Sequence, residues 1–315
     1  MSRLDVLAVG ELNPDLILEG LSGPPRPGQE TLASRCSFTL GSSTALCAAN
    51  LAALGLRVGI VAKVGTDLFG SFVIDALSAR GVDTSRVIRD ASLRTGITVS
   101  LTSSADRAMV TYAGAMTALT AADIDPACLA SARHLHVSSW FLQTGLQAGG
   151  AELFRAAKAR GLTTSLDPAW DPGEQWESGI EGLYEWLDIL FVNRLEAAAL
   201  GRDPEWRTAA GRLARRVGLL VVKGGADGLS IAQGTDWQDY SGFPVEAIDP
   251  TGAGDACNAG FLAGRLAGRP LPECAAWGNA CGAMTAARLG GSGAFGSAGE
   301  VEAFIRSKRR VGDRN

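Results

Sequence analysis

Short apolar segments alternate with helical segments along most of this chain, and no other feature restricts the fold as strongly. The predicted strands lie at residues 4–9, 133–139, 163–166, 187–192 and 219–222; those at 4–9, 187–192 and 219–222 are the most apolar, and a polar residue or a glycine follows every strand except 133–139. Segments this short are typical of strands buried on both faces. Strands that alternate with helices favour a parallel sheet covered by helices on both sides. The pattern therefore predicts the α/β class, in which ligands bind at the carboxyl ends of the strands.

The composition agrees with such a fold and argues against several functions. The 315 residues are 46% hydrophobic and 20% charged, which allows a sizeable core. The net charge of −4 argues against nucleic acid or an anionic membrane as a partner. We find no signal-peptide pattern and no apolar stretch of membrane-spanning length, and we expect a cytoplasmic protein. The six scattered cysteines predict buried free thiols, and His134 and His136 are expected to be strand residues rather than metal ligands.

A loop that turns into a buried helix at residues 247–268 carries the strongest chemical signal. Asp249-Pro250 cannot lie inside a helix, and Thr251 is the predicted N-cap. The helix would start at Gly252-Ala253-Gly254, where bare backbone N–H groups can hold an anion. Asp255 beside them could take a proton from a nucleophile that attacks a phosphoryl group. A glycine-rich turn into a core helix explains the same residues without chemistry, so the short motif leaves both interpretations open.

The longer stretch resembles the second signature of the ribokinase-like (PfkB) carbohydrate kinase family, Asp-Thr-x-Gly-Ala-Gly-Asp followed by a helix of small residues. The matching residues are Asp249, Thr251, Gly252, Ala253, Gly254 and Asp255. The resemblance implies that Asp255 is the catalytic base and that residues 252 to 255 form the anion hole. It also implies one kinase domain over residues 1–315, with a ribokinase-like three-layer core, a mainly parallel sheet and a small β-sheet lid.

Residues 41–70 resemble the first signature of the same family, a double-glycine turn, a small-residue helix and then Val-Gly-x-Asp-x-Phe-Gly. Gly41 matches the turn, but Ser42 replaces its second glycine and Leu46 replaces an asparagine that often touches the sugar. Alternating residues at 95–103 and 108–112 predict a hairpin. The resemblance implies a lid with strands from about 12–40 and 95–113, which covers the sugar and predicts a homodimer.

Polar residues follow the first predicted strand. Asn13 and Asp15 would lie at its carboxyl end, where α/β sheets bind ligands, although such residues also form ordinary turns. The resemblance implies that Asn13 and Asp15, together with Gly41 and Ser42, bind the sugar.

Asn193 and Glu196 follow the predicted strand at residues 187–192. Their spacing fits a capping box, which is a purely structural role. The resemblance implies instead that they organise phosphate, water and Mg²⁺, with Glu196 acting on the metal through water. Carboxylates, water and phosphate oxygens are the ligands that Mg²⁺ prefers.

The glycine-rich loop after the last apolar segment is not a P-loop, because no Gly-x-x-x-x-Gly-Lys-Ser/Thr occurs in the chain. The resemblance places Gly225 and Gly228 along the nucleotide, Lys223 near its phosphates and Asn279 beside the adenine. Asn279 lies among small residues of a predicted helix, where a lone asparagine needs a partner.

Asp249 and Thr251 also match residues that hold a monovalent cation in many family members. Ala294 stands near the position of the usual serine, so K⁺ dependence stays open. Together these features predict an ATP- and Mg²⁺-dependent kinase that phosphorylates a hydroxyl of a sugar or sugar derivative. A nucleoside kinase of the same superfamily is one alternative, suggested by Leu46 and by Trp140-Phe141. A sugar- or nucleotide-sensing protein that has lost catalysis is another.

Overall fold

The computed structural model describes residues 3–103, 107–288 and 293–312. The strands in these ranges are β1 (Leu4–Val9), β2 (Pro14–Leu21), β3 (Arg35–Leu40), β4 (Val58–Val61), β5 (Lys63–Gly65), β6 (Ile88–Asp90), β7 (Ile97–Ser103), β8 (Arg107–Tyr112), β9 (Ala132–Ser138), β10 (Thr163–Asp167), β11 (Ile189–Asn193), β12 (Leu220–Lys223), β13 (Leu229–Gln233) and β14 (Asp236–Tyr240). The α-helices are α1 (Ser43–Ala53), α2 (Leu68–Ser78), α3 (Pro126–Ala130), α4 (Thr144–Gln147), α5 (Gly150–Ala159), α6 (Arg194–Leu200), α7 (Trp206–Ala214), α8 (Ala253–Leu266), α9 (Leu271–Ala286) and α10 (Ala298–Gly312). None of these described helices is both long and apolar enough to cross a lipid bilayer.

The largest sheet has eight strands in the order β14-β13-β12-β11-β10-β9-β1-β4. The strands from β12 to β4 run parallel, whereas β13 and β14 are antiparallel additions at one edge. The carboxyl ends of β1, β9, β10, β11 and β12 therefore meet along one edge of the sheet. This edge is where the fold class is expected to bind ligands.

Both faces of the large sheet are covered. Leu7 and Val9 of β1 belong to one core cluster, together with side chains of α5 and α7. Val6 and Ala8 of the same strand belong to a second cluster, together with side chains of α1 and α8. Alternate residues of a strand point to opposite faces, so the helices form two layers around the sheet. The predicted three-layer α/β architecture is confirmed.

A second sheet has four strands in the order β3-β2-β7-β8. Asp15 pairs with Thr39 on one side and with Thr98 on the other, and Thr98 pairs with Thr111. These four polar residues therefore form one row across a single face of the sheet. The predicted hairpin is confirmed for its two strands, while residues 104–106 of its turn lie outside the described ranges.

The cysteine prediction is wrong in part. Cys36 on the edge strand β3 is exposed and Cys128 is half-buried, whereas the other cysteines are buried. His134 and His136 lie in β9, as predicted, and both share the Ser165 hydroxyl at 2.7 Å. Burial lowers the pKa of His134 to about 3 and that of His136 to about 4, so both rings are neutral near pH 7.

Candidate active site

Helix α8 begins without a side-chain cap. Its N-cap is Gly252, whose φ of 70° lies in the left-handed region that favours glycine. The prediction that Thr251 caps the helix is therefore wrong. The Thr251 N–H instead donates to Asp249 Oδ1 at 2.9 Å, within the turn that precedes the helix. The uncapped N-terminus carries partial positive charge and can receive an anion.

Lys223, at the end of β12, lies beside this helix start. A Cβ added to Gly254 would lie 3.5 Å from Lys223 Nζ. The ammonium donates to Asp167 Oδ2 at 2.5 Å, and Asn258 Nδ2 in α8 donates to the same oxygen at 2.5 Å. Asp167 is buried at the end of β10. This carboxylate therefore joins the lysine to the helix that carries the candidate anion hole.

Asp167 and Asn258 are not among the site residues predicted from the sequence. Asp167 gave a usable signal, because it is a carboxylate at the carboxyl end of a predicted parallel strand. Asn258 gave none, since it lies inside a helix among small residues and its partner is distant in sequence.

The charges of this cluster shift one another's pKa values. Burial raises the pKa of Asp167, but Lys223 and the hydrogen bond from Asn258 outweigh burial and leave it below its usual value. Burial lowers the pKa of Lys223, but Asp167 and Glu196 raise it above its usual value overall. Burial and Asp167 raise the pKa of Glu196 to about 7 and that of Asp255 well above its usual value. One lysine thus serves three carboxylates, and the cluster would accept a further cation.

The predicted capping box at the start of α6 is confirmed. Asn193 Oδ1 accepts from the Glu196 N–H at 2.8 Å, and Glu196 Oε2 accepts from the Asn193 N–H at 2.8 Å. Glu196 Oε1 also accepts from Asn193 Nδ2 at 2.7 Å. The high pKa of Glu196 shows that its negative charge is poorly compensated. A buried carboxylate of this kind fits Mg²⁺, held directly or through water.

A cavity of about 550 Å³ lies between the loop after β12 and the facing sides of α8 and α9. This volume is typical of a small-molecule site. Asn279 Nδ2 is held by the backbone oxygens of Tyr240 at 3.1 Å and Ser241 at 3.0 Å, which supplies the partner that the sequence required. The predicted nucleotide-binding residues in the lining are Lys223, Gly225, Gly228 and Asn279, and they are joined there by Ala253 and Gly254 of the helix start.

The predicted sugar-binding residues meet where the second sheet joins the core. Asn13 Nδ2 lies 3.4 Å from Asp15 Oδ1 and 3.4 Å from Thr98 Oγ1. A Cβ on Gly41 would lie 2.0 Å from Asp15 Oδ1, so a larger residue would displace this carboxylate. The turn before α1 and the polar row of the second sheet therefore form one polar surface.

Ser42 adopts a backbone conformation that favours glycine, the residue that it replaces in the first signature. Its φ is 72°, and its hydroxyl accepts from the Ala45 N–H at 3.1 Å as the N-cap of α1. The same hydroxyl donates to the Glu11 carbonyl at 2.6 Å. These two bonds offset the strain of a left-handed serine.

Asp255 connects the two halves of this site. It is half-buried, and the nearby hydroxyl of Ser43, the first residue of α1, lowers its pKa. Its neighbours Ala253 and Gly254 line the 550 Å³ cavity. A carboxylate in this position, with a bare helix start and an ammonium beside it, can accept a proton while a neighbouring anion is held in place.

The profile of the pfkB family of carbohydrate kinases matches residues 3–295. The chain belongs to this family. The predicted class of enzyme, a carbohydrate kinase, is therefore confirmed, and the chain is an ATP-dependent kinase of the group that acts on sugars and nucleosides.

Relatives of this pfkB chain cover nearly its whole length. The ATP-dependent ribose-1-phosphate kinase of Halopiger xanaduensis is 32% identical over 304 residues, 96% of this chain and 98% of that protein. A nucleoside kinase of Methanothermobacter thermautotrophicus is 31% identical over 276 residues, 86% of this chain and 85% of that protein. A structure described as ribokinase II from Escherichia coli, in complex with ATP and Mg²⁺, has a TM-score of 0.84 at 24% identity and covers 98% of this chain and 100% of that chain. The predicted ribokinase-like fold is confirmed.

The remaining predicted ligands of this pfkB chain lie just before α8. The Asp249 N–H donates to the Ala286 carbonyl at 3.1 Å, and Asp249 Oδ1 accepts from Thr251. Ala294 is buried in a small apolar cluster and offers no side-chain oxygen. A monovalent cation would therefore depend on Asp249, Thr251 and backbone oxygens.

Proposed function

We propose that this chain transfers the γ-phosphoryl group of ATP to a hydroxyl of a sugar or sugar derivative. Asp255 is the general base, and residues 252 to 255 at the start of α8 form the anion hole. Asn13, Asp15, Gly41 and Ser42 bind the acceptor, and the cavity of about 550 Å³ binds the nucleotide. The proposal treats residues 1–315 as one kinase domain whose second sheet is the lid.

The position of Asp255 carries this proposal. Its helix start borders the cavity through Ala253 and Gly254, and the Ser43 hydroxyl at the start of α1 is close enough to lower the pKa of its carboxylate. The acceptor turn at Gly41 immediately precedes α1. A hydroxyl held at that turn would thus approach Asp255 from one side, and a phosphoryl group held at the α8 start would approach from the other.

Different residues assist the proton transfer, the stabilisation of charge and the orientation of the acceptor. Asp255 takes the proton of the acceptor hydroxyl, and its raised pKa makes its carboxylate a stronger base. The N-terminus of α8 and the ammonium of Lys223 stabilise negative charge on the phosphoryl oxygens. Asn13 and Asp15 orient the acceptor, which lowers the entropic part of the barrier.

Mg²⁺ and ATP belong to the proposal. Glu196 is the residue that would hold Mg²⁺, and the bound ion would neutralise charge on the phosphate oxygens. Asn193 positions Glu196 through the capping box. Asn279, Gly225 and Gly228 would border the nucleotide. An enzyme that consumes ATP works where ATP is abundant, so we propose a cytoplasmic location.

The test measures ADP release from Mg-ATP with a panel of sugars, sugar phosphates and nucleosides. We expect one class of acceptor to give turnover. Asp255→Asn should keep the fold and lower kcat by about 10²- to 10⁴-fold, the usual contribution of general base catalysis. Asp236→Asn, which changes an exposed carboxylate on β14, is the matched control and should leave kcat unchanged. Turnover near the control level in Asp255→Asn would contradict the assignment of the base.

A nucleoside acceptor is the second candidate, and the 31% identity to the archaeal nucleoside kinase supports it. The residues that suggested a less polar site do not strengthen it, because Leu46, Trp140 and Phe141 are all buried. Turnover with nucleosides but with no sugar would select this candidate. Binding of ATP and acceptor without ADP release would instead select a sensor that has lost catalysis.

The proposed homodimer forms through the second sheet. Phe38, Val110 and Tyr112 expose large apolar side chains on one face of that sheet, with Val110 62% exposed. Such a surface is typical of a protein interface. Sedimentation velocity should give a dimer, and Val110→Asp should shift it toward monomer. The K⁺ site at Asp249 and Thr251 is tested by comparing rates in K⁺ with rates in a large organic cation.

A further inference from the structure

A buried carboxylate that the proposed mechanism does not use lies directly behind the acceptor turn. Glu11 follows β1 and is only 3% exposed. Its Oε1 accepts from Ser139 Oγ at 2.8 Å, and its Oε2 accepts from Thr44 Oγ1 at 2.7 Å. Its carbonyl accepts from Ser42 Oγ at 2.6 Å, and its N–H donates to the side-chain oxygen of Gln143 at 2.6 Å. Glu11 thus links β1, the first turn of α1 and the turn after β9.

Within the described parts of the chain, these contacts stabilise the Glu11 carboxylate without a positively charged side chain. Among the residues that the structure describes, the side chains that hydrogen-bond to the Glu11 carboxylate are uncharged, and the shortest bonds come from the hydroxyls of Thr44 and Ser139. The Thr44 N–H in the first turn of α1 lies 3.4 Å from Oε1, so the positive end of that helix faces the carboxylate. A buried carboxylate without a counter-ion is unfavourable for stability alone. Its position suggests that the charge serves the neighbouring site.

The close packing around Glu11 shows how it can control the acceptor turn. A Cβ on Gly10 would lie 2.2 Å from Thr44 Oγ1, so the end of β1 and the start of α1 are in direct contact. Ser42, which is bonded to the Glu11 carbonyl, is the residue next to Gly41, and Gly41 packs against Asp15. A change at Glu11 would therefore be transmitted to the turn that holds Asp15.

We propose that Glu11 is a positioning residue of the acceptor site, which fixes the Gly41-Ser42 turn and places a negative charge near the base Asp255. This inference rests on the proposed kinase function. It predicts that Glu11 affects acceptor binding and the protonation of Asp255, although it does not take part in phosphoryl transfer itself.

The charged groups around Asp255 predict the direction in which a change at Glu11 shifts the pKa of Asp255. Burial raises its pKa most, followed by Asp167 on β10, and Glu11 raises it further. Lys223 on β12 and the Ser43 hydroxyl on α1 lower it. The other titratable groups of the cluster are Glu196 on α6 and Cys47 on α1. Removing the charge of Glu11 should therefore lower the pKa of Asp255, and the base should stay ionised to lower pH.

The test compares pH profiles of kcat/KM for the acceptor in Glu11→Gln, Glu11→Asp and Ser139→Ala. In Glu11→Gln we expect the acidic limb of the pH profile, where kcat/KM falls as Asp255 becomes protonated, to move to lower pH by about 0.5 to 1 unit. Loss of a partly shielded like charge has an effect of this size. The acceptor KM should rise about tenfold, as for loss of a charged hydrogen bond. Glu11→Asp and Ser139→Ala disturb the contacts but keep the charge, so they should raise KM and leave the limb in place. Glu152→Gln, at an exposed carboxylate, should match the wild type in both respects.

An acidic limb that does not move in folded Glu11→Gln would overturn the proposal, since a purely structural role changes KM and stability alone. If Glu11→Gln does not fold, the acceptor KM of Ser139→Ala tests the positioning role instead. An unchanged KM in that variant would reject the role. Carboxyl ¹³C titration of the free protein, with Asp255→Asn to assign the signal, tests the charge effect without activity. It therefore separates a failure of this inference from a failure of the kinase assignment, which would show as a wild type inactive on every acceptor.

Discussion

Replacing Lys223 with methionine should destabilise the protein strongly. The substitution keeps most of the apolar chain and removes the charge that Asp167, Glu196 and Asp255 share. Breaking a buried ion pair from one side costs about 3 to 5 kcal/mol, because the remaining charge loses its partner. Asp167 would keep its hydrogen bond from Asn258, so we expect the lower end, about 3 kcal/mol, in the free energy of unfolding.

A second substitution tests whether the orphaned carboxylate causes the loss. Asp167→Asn in the Lys223→Met background removes that buried charge, and it should recover about 1 to 3 kcal/mol, the usual coupling between contacting residues. In Lys223→Met itself, the pKa of Asp167 in the folded state should rise above its unfolded value. The folded variant would then bind a proton more readily, and its stability would fall as the pH rises. The deficit relative to wild type should therefore be smaller at pH 5 than at pH 8.

Urea unfolding followed by tryptophan fluorescence measures these differences, since the chain has seven tryptophans. Lys158→Met is the matched control. Lys158 pairs with Asp188 at 2.7 Å, but their side chains are 33% and 36% exposed, so its loss should cost at most about 1 kcal/mol. The reasoning is refuted if Lys223→Met unfolds at the wild-type midpoint, or if Asp167→Asn gives no recovery in that background.

Three further substitutions have distinct expected results. Gly254→Ala should leave the urea midpoint unchanged or higher, because the nearest atom to its Cβ is Lys223 Nζ at 3.5 Å. It should nevertheless lower kcat/KM for ATP in ADP-release assays by about 100-fold, since the methyl group enters the proposed anion-binding turn. Ser42→Gly should be more stable to urea than Ser42→Ala by about 1 kcal/mol, because glycine relieves the φ of 72° while both variants lose the hydroxyl. Asp5→Asn should lower the free energy of unfolding by about 1 kcal/mol at pH 7 and by almost nothing near pH 2. Hydrogen bonds from Arg57 lower the pKa of Asp5 to about 2, so the stabilisation is present above pH 4 and is lost as the pH falls. The exposure of Arg57 reduces the size of the effect. Equal stability of the two Ser42 variants, or an Asp5→Asn deficit that persists at pH 2, would contradict these accounts.

Local patterns were enough to predict most of the elements that position the site. The apolar run at 4–9 is β1 over Leu4–Val9, and the alternating residues at 95–103 contain β7 over Ile97–Ser103. The capping box at Asn193 and Glu196 is also local, because both partners lie within one turn of the chain. Such features depend on periodicity and short-range hydrogen bonds, and these can be read from consecutive residues.

Contacts between distant segments could not be predicted in the same way. Lys223 and Asp167 are 56 positions apart and meet because β10, β11 and β12 are adjacent in the sheet, an order that the pattern of strands alone does not give. The N-cap of α8 differs from the prediction for a local reason, the backbone conformation of the turn at residues 249–252. Thr251 has a suitable side chain, but its N–H is engaged by Asp249, and Gly252 supplies the left-handed residue where the helix begins.

The different starts of helices α1 and α8 offer a physical reason for the division of the proposed site. Both helix starts carry partial positive charge and both border Asp255. The start of α1 already has an internal acceptor for its N–H groups, because Ser42 caps it and the Glu11 carboxylate faces its first turn. The start of α8 has no side-chain cap, and Lys223 lies beside it. An incoming anion is therefore favoured at α8 and opposed at α1 by the charge of Glu11, so the phosphoryl group should bind at α8 and a neutral hydroxyl should bind at α1. On this reasoning Glu11→Gln would weaken the discrimination, and inorganic phosphate should then compete more strongly with the acceptor than it does in the wild type.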